Sequence, residues 1–404
     1  MKKPELLSPA GDRQRLDAAL QYGADAVYLA ADAFGMRTAP ANFTLDALRV
    51  AVADAHRQGK RVYVTCNTLP RDDELSRLPG YLEAWREMGV DALIVADLGV
   101  MALAQRHAPG VALHISTQFG VVNSAAARRL HELGACRVVL ARELSLEQIA
   151  AIRAKTPPAL ELEAFVHGAM CMAYSGRCLF SAYLTGRNAN RGDCTQPCRW
   201  EYQFIEPHRA DRPFTGVEEA DGTYLFNAHD LNMIEHVGEL AHAGVGSFKI
   251  EGRAKAAYYV AVTANAYRMA IDGWDAAGQP VEWRPKEWIV RELDTVSHRP
   301  YGTGFYFGQP SQNTQSGGYI REWDVVAVAT EWRDGIQYLQ QRNRFFAGDV
   351  LSVLAPGQPP HEVVASPLWD GEGHPINAAP HPTMALSIPL DQPLVSGSLL
   401  RKKL

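Results

Sequence analysis

The chain has 404 residues, 47% of them apolar and 21% charged, with a net charge of −5. That length and balance fit a large globular domain plus a smaller one. The acidic balance excludes a surface that attracts nucleic acid everywhere, so any RNA contact must come from a local basic patch.

At the start, "MKKPELLSPAGD" carries two lysines, but Pro4, Glu5 and Asp12 interrupt any apolar run. No signal peptide and no 18-residue apolar segment is expected, which points to the cytosol and away from a membrane. Thiols stay reduced there, so clustered cysteines favour metal binding or catalysis over disulfides.

A repeated pattern then organises the first 250 residues. A helical stretch ends at a glycine, and a short apolar run follows: "YGADAVYLA" at Gly23, "QGKRVYVTC" at Gly59, "MGVDALIVA" at Gly89, "LGACRVVLA" at Gly134 and "AGVGSFKIE" at Gly244. Glycine suits the left-handed position just past a helix. Near-continuous Val, Ile, Leu and Ala is the mark of a parallel strand buried on both faces. With "PELLSP", "VALHIST" and "LELEAFV", the pattern predicts eight strands, near 4–8, 26–30, 61–66, 92–96, 112–117, 137–141, 160–166 and 246–250. Amphipathic stretches such as "TLDALRVAVADAHRQ" lie between them. Eight βα units predict an α/β fold, a TIM (β/α)8 barrel over residues 1–275. A doubly wound sheet is the rival, but no G-x-G-x-x-G follows a strand and no P-loop motif occurs.

A long insertion follows strand seven, carrying the cysteines at 167–200 and then a possible hairpin around "EYQFIEP" and "GTYLFNAHDL". In a barrel such βα connections lie on the catalytic face. Residues 276–317, rich in Trp, Gly, Pro and Gln, read as a connecting segment. From 318 to 404, short β-like runs between Pro/Gly turns predict a small C-terminal β-barrel domain.

Four of the six cysteines fall in the pattern Cys171-x6-Cys178-x15-Cys194-x3-Cys198. Zinc ribbons use two C-x2-C knuckles, which are absent here. An iron-sulfur cluster needs four thiolates from flexible loops and is less strict about spacing. Four unrelated thiols stay as a third reading. Arg177, Arg187, Arg191 and Arg199 share the stretch and would offset a cluster's charge or bind an anion. Cys136 reads as a small buried hydrophobe and Cys66 as a strand-end residue.

Polar residues at strand ends are the catalytic candidates of a barrel. Here they are Asn67, Asp97, His114, Ser116, Gln118, Arg142, Glu143, Glu163, His167, Lys249, Glu251 and Arg253, with Arg37 in the second βα connection. Arg142–Glu143 reads equally as a salt bridge shaping the mouth. Proteolysis finds no H-E-x-x-H and no G-x-S-x-G.

The stretch "EAFVHGAMCMAYSGRCLFS", with "PELLSPAGD", "GADAVY", "ARELSLEQI", "SFKIEGR" and "RPYGTGFYFG", resembles the collagenase-like peptidase family. "FVHGAMCMAYSGRC" with "CTQPCRWEY" is most similar to its branch of tRNA hydroxylation proteins. That resemblance implies a TIM barrel with a 4Fe-4S cluster, and oxygen-independent hydroxylation of the wobble uridine to 5-hydroxyuridine. It also implies prephenate or a related metabolite as co-substrate. Carried over, Cys171, Cys178, Cys194 and Cys198 are the cluster ligands. From their places at strand ends, and not from the resemblance, Glu163, His167, Lys249 and Glu251 are taken as the catalytic candidates. Arg37, Arg177 and Arg253 would hold the small dianionic metabolite, with Asn67, His114 and Gln118 lining the substrate site. Tyr174 or Phe180 would stack on an unstacked base of the tRNA anticodon. The resemblance leaves peptidase activity, or hydroxylation of an rRNA cytidine or a quinone ring, as rivals. An accessory protein is left open.

Overall fold

The computed structural model describes residues 1–35, 42–171, 177–200, 228–310 and 318–404. The eight predicted strands form at the expected places: β1 (Glu5–Pro9), β2 (Ala26–Leu29), β3 (Arg61–Cys66), β4 (Ala92–Val95), β5 (Ala112–Ile115), β6 (Arg137–Val139), β7 (Glu161–Ala169) and, later in the chain, Ser247–Ile250. Each is buried almost throughout, as both faces of a barrel strand must be. Neighbours run parallel in sequence order. Two short strands are additional: β8 (Asp230–Asn232), which makes Ser247–Ile250 β9, and β10 (Tyr301–Gly302).

Closure comes through β9. Its Ser247 pairs with Glu5 of β1 on one side and with Glu163 of β7 on the other. β8 then runs antiparallel along the far end of β7, and β10 lies parallel to β8. This extension takes β7 beyond the barrel wall, and residues 276–310 pack against the barrel rather than crossing free space, with Leu293, Val296 and Tyr306 in its core.

The helices start and stop on recognisable chemistry. Asp12, Thr44, Asp97, Asn123 and Ser145 each cap a helix by accepting a backbone N–H two or three residues into it. Gly23, Gly59, Gly89, Gly134 and Gly244, just past helix ends, all have positive φ, between 67° and 102°. The main core lies between the strands and these helices, whereas Leu7, Ala26, Tyr28, Tyr63, Ala92 and Ile94 form a separate cluster inside the ring.

The C-terminal region is an antiparallel sheet of seven strands with its own core, including Leu339, Leu351, Phe345 and Ile388. It docks on the barrel through buried polar contacts. Arg401 donates to Glu292 at 2.7 Å and to Thr295 at 3.1 Å, and Tyr22 donates to the Leu354 carbonyl at 3.0 Å. Among the described residues no helix is long and apolar enough to cross a membrane. The expected hairpin at 201–227 lies outside the described residues.

Candidate active site

The barrel interior holds an ionic network. Arg137, only 2% exposed, donates to Glu5 at 2.6 Å, Glu163 at 3.0 Å, Ser247 at 3.2 Å and Glu161 at 2.6 Å. Lys249 donates to the other oxygen of Glu163 at 2.7 Å, and Tyr63 donates to Glu5 at 2.7 Å. Arg61 also pairs with Glu5. Burial by itself would push the Glu163 carboxyl up, but the Lys249 ammonium and the Arg137 guanidinium outweigh it and hold it below the usual carboxylate range. Glu163 and Lys249, expected as catalytic, therefore occupy a closed network. Both carboxylate oxygens of Glu163 are engaged and the group is fully buried. Glu5 and Arg137 were not anticipated. A single Arg next to a strand start gives no sign of the partners it meets across a ring.

His167 lies on a different face of β7. Simple alternation puts Glu163, Phe165 and His167 on one face. A register shift in the pairing of β7 with β9 falls between Phe165 and His167 and turns the imidazole away from the axis. His167 packs instead against Tyr267, Tyr259 and Tyr301, with ring centroids 5.4 to 5.8 Å apart. Neither ring nitrogen makes a well-formed hydrogen bond among the described residues. Burial, with a smaller push from the Lys255 charge, takes its pKa down to about 3, and Asn232 opposes this only weakly, so the imidazole stays neutral.

The C-terminal mouth gathers the remaining candidates. Glu251, buried, accepts from the Tyr28 hydroxyl at 3.1 Å and from the Gly252 N–H at 2.9 Å. Arg253 reaches across to Thr65 of β3, donating at 3.0 Å. Asn67 donates to Ser116 at 3.5 Å, and the Gln118 N–H donates to the same hydroxyl at 3.4 Å. His114 lies deeper, edge-on to Tyr63 at 4.7 Å, and burial followed by the Arg137 charge holds its pKa well below the ordinary value. Arg142 stacks over Phe165 at 4.1 Å and donates to the Ala169 carbonyl at 2.7 Å. Arg37 and Tyr174 lie outside the described residues.

Beyond β7 the cysteine loop folds on itself. Asn190 ties it by accepting from the Cys178 N–H at 3.2 Å and donating to the Cys178 carbonyl at 2.8 Å. Ser181 bridges to Thr195, and the Gln196 N–H donates to the Cys194 sulfur at 3.3 Å. Cys171 and Cys194 are exposed, and Cys178 and Cys198 are half-buried. Among the described residues no three His, Cys, Asp or Glu side chains gather at metal-ligating spacing. The loop thus supplies four thiols on a shared frame without closing them on one point. Arg177 is exposed beside Cys178. Cys66 is buried in the barrel wall, and burial, aided by Asp97, pushes its thiol up to about 12. Cys136 is half-buried and donates to the Leu113 carbonyl at 3.5 Å.

Cys171 also lines a cavity of about 450 Å³ at the end of β7. Its walls also include Glu143, Met170, Ala228, His229 and most of the stretch from Tyr301 to Pro310, Tyr306 excepted. That run is pinned by Tyr306, whose hydroxyl donates to the Phe165 carbonyl at 2.6 Å. Gly304 has φ +56°, and a Cβ there would sit 3.3 Å from Leu231 and 3.4 Å from Met170, so this turn is built for glycine. His229, Phe305 and Phe307 were not singled out as site residues. The run "GTGFYFG" marks a turn, but nothing in it says that the turn closes a cavity.

A fold of this kind, with a cysteine-bearing loop after strand seven and an appended β domain, defines a family. The chain belongs to peptidase family U32: the family's main model matches residues 11–316 and its C-terminal domain model residues 321–401. It is 36% identical to tRNA hydroxylation protein P1 of Bacillus subtilis (strain 168), covering 99% of this chain and 95% of that one. Against tRNA hydroxylation protein P of Escherichia coli (strain K12) it is also 36% identical, covering 99% and 97%. A 23S rRNA 5-hydroxycytidine synthase of the same Escherichia coli strain is 41% identical over 66% of this chain and 39% of that one.

Proposed function

We propose that this chain is a cytosolic tRNA-modifying enzyme that hydroxylates the wobble uridine to 5-hydroxyuridine. The observation that carries the reading is end-to-end likeness to proteins named for tRNA hydroxylation, together with a cysteine loop on the catalytic end of the barrel. Cys171, Cys178, Cys194 and Cys198 would hold a 4Fe-4S cluster. The donor chemistry fits: four thiols, one already accepting a backbone N–H, as thiolate ligands do. When bound, the cluster supplies one-electron transfer beside the substrate.

The protein's own residues bind and orient. Arg253, with Arg177 and Arg37, provides cations for a prephenate-like dianion, and Thr65 fixes the guanidinium of Arg253. Asn67, Ser116 and Gln118 form a polar chain at the mouth. The Glu163–Lys249–Arg137 network ties β6, β7 and β9 together inside the barrel.

Two experiments test this. Anaerobic purification is expected to give brown protein with about four iron and four sulfide per chain; colourless protein with zinc overturns the cluster. Deleting the gene is expected to remove hydroxyuridine-derived nucleosides from tRNA, read by mass spectrometry, and Cys178→Ala is expected not to restore them. Unchanged tRNA with loss of rRNA hydroxycytidine would move the activity to the reaction named for the 41%-identical relative. Unchanged RNA of both kinds would return the peptidase reading.

A further inference from the structure

A chain of net charge −5 that acts on RNA needs a place where cations gather against the trend. The C-terminal domain has one. Arg342, Asn343 and Arg344, all exposed, form the turn after the strand Ile336–Gln341. That turn lies across the start of the strand Trp323–Arg333. The Arg342 N–H donates to the Val326 carbonyl at 2.8 Å, and the Asn343 side chain donates to the Val325 carbonyl at 2.7 Å. Lys402 comes from the strand Leu399–Lys403, where it pairs with Asp324 at the same end of the sheet.

An exposed aromatic ring holds these charges together. Phe346 is 44% exposed. The Arg344 guanidinium lies 5.0 Å from its ring centroid and the Lys402 ammonium 5.9 Å. Two cations on one ring repel each other, and the negative face of the ring offsets part of that repulsion. Two carboxylates reach this group. Asp349 pairs with Lys402 at 2.7 Å and Glu322 with Lys403 at 3.4 Å, and neither pairs with the two arginines. A guanidinium on an aromatic support offers what an RNA strand uses: paired N–H groups for the oxygens of a phosphate, and a flat face for an unstacked base.

The position suits the same ligand. His298 stacks on Tyr301 of the cavity wall at 4.2 Å. Its N–H donates to the Ile320 carbonyl at 3.2 Å, and the Ile320 N–H donates back at 2.7 Å. Three residues later Trp323 opens its strand opposite Lys403. The end of the domain that carries the cations is therefore the end tethered to the catalytic end of the barrel. Resting on the tRNA reading above, we infer that Arg342, Arg344 and Lys402, set around Phe346, form a docking surface for the sugar–phosphate backbone of the tRNA, apart from the base that reacts.

The test uses the full-length, cluster-loaded protein and labelled unmodified tRNA, with anisotropy read at several salt concentrations. Arg344→Glu is expected to bind about tenfold more weakly at about 100 mM salt, and to flatten the slope of log affinity against log salt by about one. Arg344→Gln, which loses the charge and keeps the length, is expected to fall between this variant and the parent. Arg333→Glu is the control, with the same change of charge at the other end of the strand Trp323–Arg333. It lies roughly 25 Å from Val325 at about 3.3 Å per residue, beyond a Debye length of about 10 Å, and is expected to bind as the parent does. Unchanged affinity and slope in Arg344→Glu overturn the inference and leave the tRNA reading intact. Equal weakening by Arg333→Glu also overturns it, since net charge alone would then explain the effect. Capture of the parent by phosphatidylserine vesicles that Arg344→Glu abolishes, with tRNA affinity unmoved, assigns the surface to a membrane and overturns it as well. If the parent binds no tRNA, the tRNA reading itself falls, and the inference falls with it.

Discussion

One strand, β7, supplies two environments of opposite kind. Its first half feeds Glu161, Glu163 and Phe165 into the barrel, where each carboxylate oxygen of Glu163 meets a buried cation. Its second half runs out past the wall to Met170 and Cys171, which border an open cavity. Both halves carry residues that look reactive on paper. In the first, every charge is neutralised by a partner, so the group is fixed and unavailable. In the second, acid, thiol and aromatic rings face a space that a ligand can enter. Access to an open cavity, more than residue type, separates the two halves of this strand.

Breaking the saturated half is expected to give the largest effect. Arg137→Met leaves Glu5 and Glu163 buried without their shared cation and is expected to cost about 3–5 kcal/mol in urea unfolding. A loss below about 1 kcal/mol would mean that water reaches these carboxylates. Next comes the other fully buried guanidinium. Arg401→Met strands Glu292 beneath the C-terminal domain and is expected to cost about 3 kcal/mol, seen as separate unfolding of the two domains by calorimetry. A single transition at the parent temperature would argue against this anchor.

A smaller effect depends on pH. The unfolded chain protonates His167 near 6.5 while the folded one resists until about 3, so stability is complete above pH 6.5 and falls as pH drops through that window. Between pH 7 and pH 5 the loss attributable to this residue is about 2 kcal/mol. His114 pulls in the same direction, so the measurement is the difference between parent and His167→Phe, whose profile is expected to be flatter. Parallel profiles would show that His167 titrates normally. Smallest in stability is Phe307→Ala in the open half. The ring is more than half exposed, so the midpoint of unfolding is expected to move by less than about 0.5 kcal/mol. A large shift would make Phe307 part of the core.

The barrel was legible because its signals repeat. A glycine at positive φ after each of five helices, then an apolar run, marks each return to the ring. β8 and β10 were not legible, since three and two residues carry no period and their partners lie far away in sequence. The cysteine loop could be found from composition alone. The face of His167 was not legible because one extra residue in β7 reverses which face follows, and nothing in "AFVHGA" marks that slip. The ionic partners of Glu163 were not legible for a different reason. Arg137, Lys249 and Ser247 come from two other strands, and only closure of the ring unites them with it.

The strand Leu399–Lys403 has a consequence for how the chain comes to be folded. It is not an edge strand: it lies between Trp323–Arg333 and Val350–Leu354 near the middle of its sheet. A ribosome releases it after every other strand of that sheet. Until it arrives, two neighbours expose unpaired edges, and the guanidinium that ties the domain to the barrel is missing. The C-terminal domain therefore completes itself by inserting its latest segment into a waiting gap. During that interval the gap is the place where a chaperone, or a second nascent chain, has most to bind.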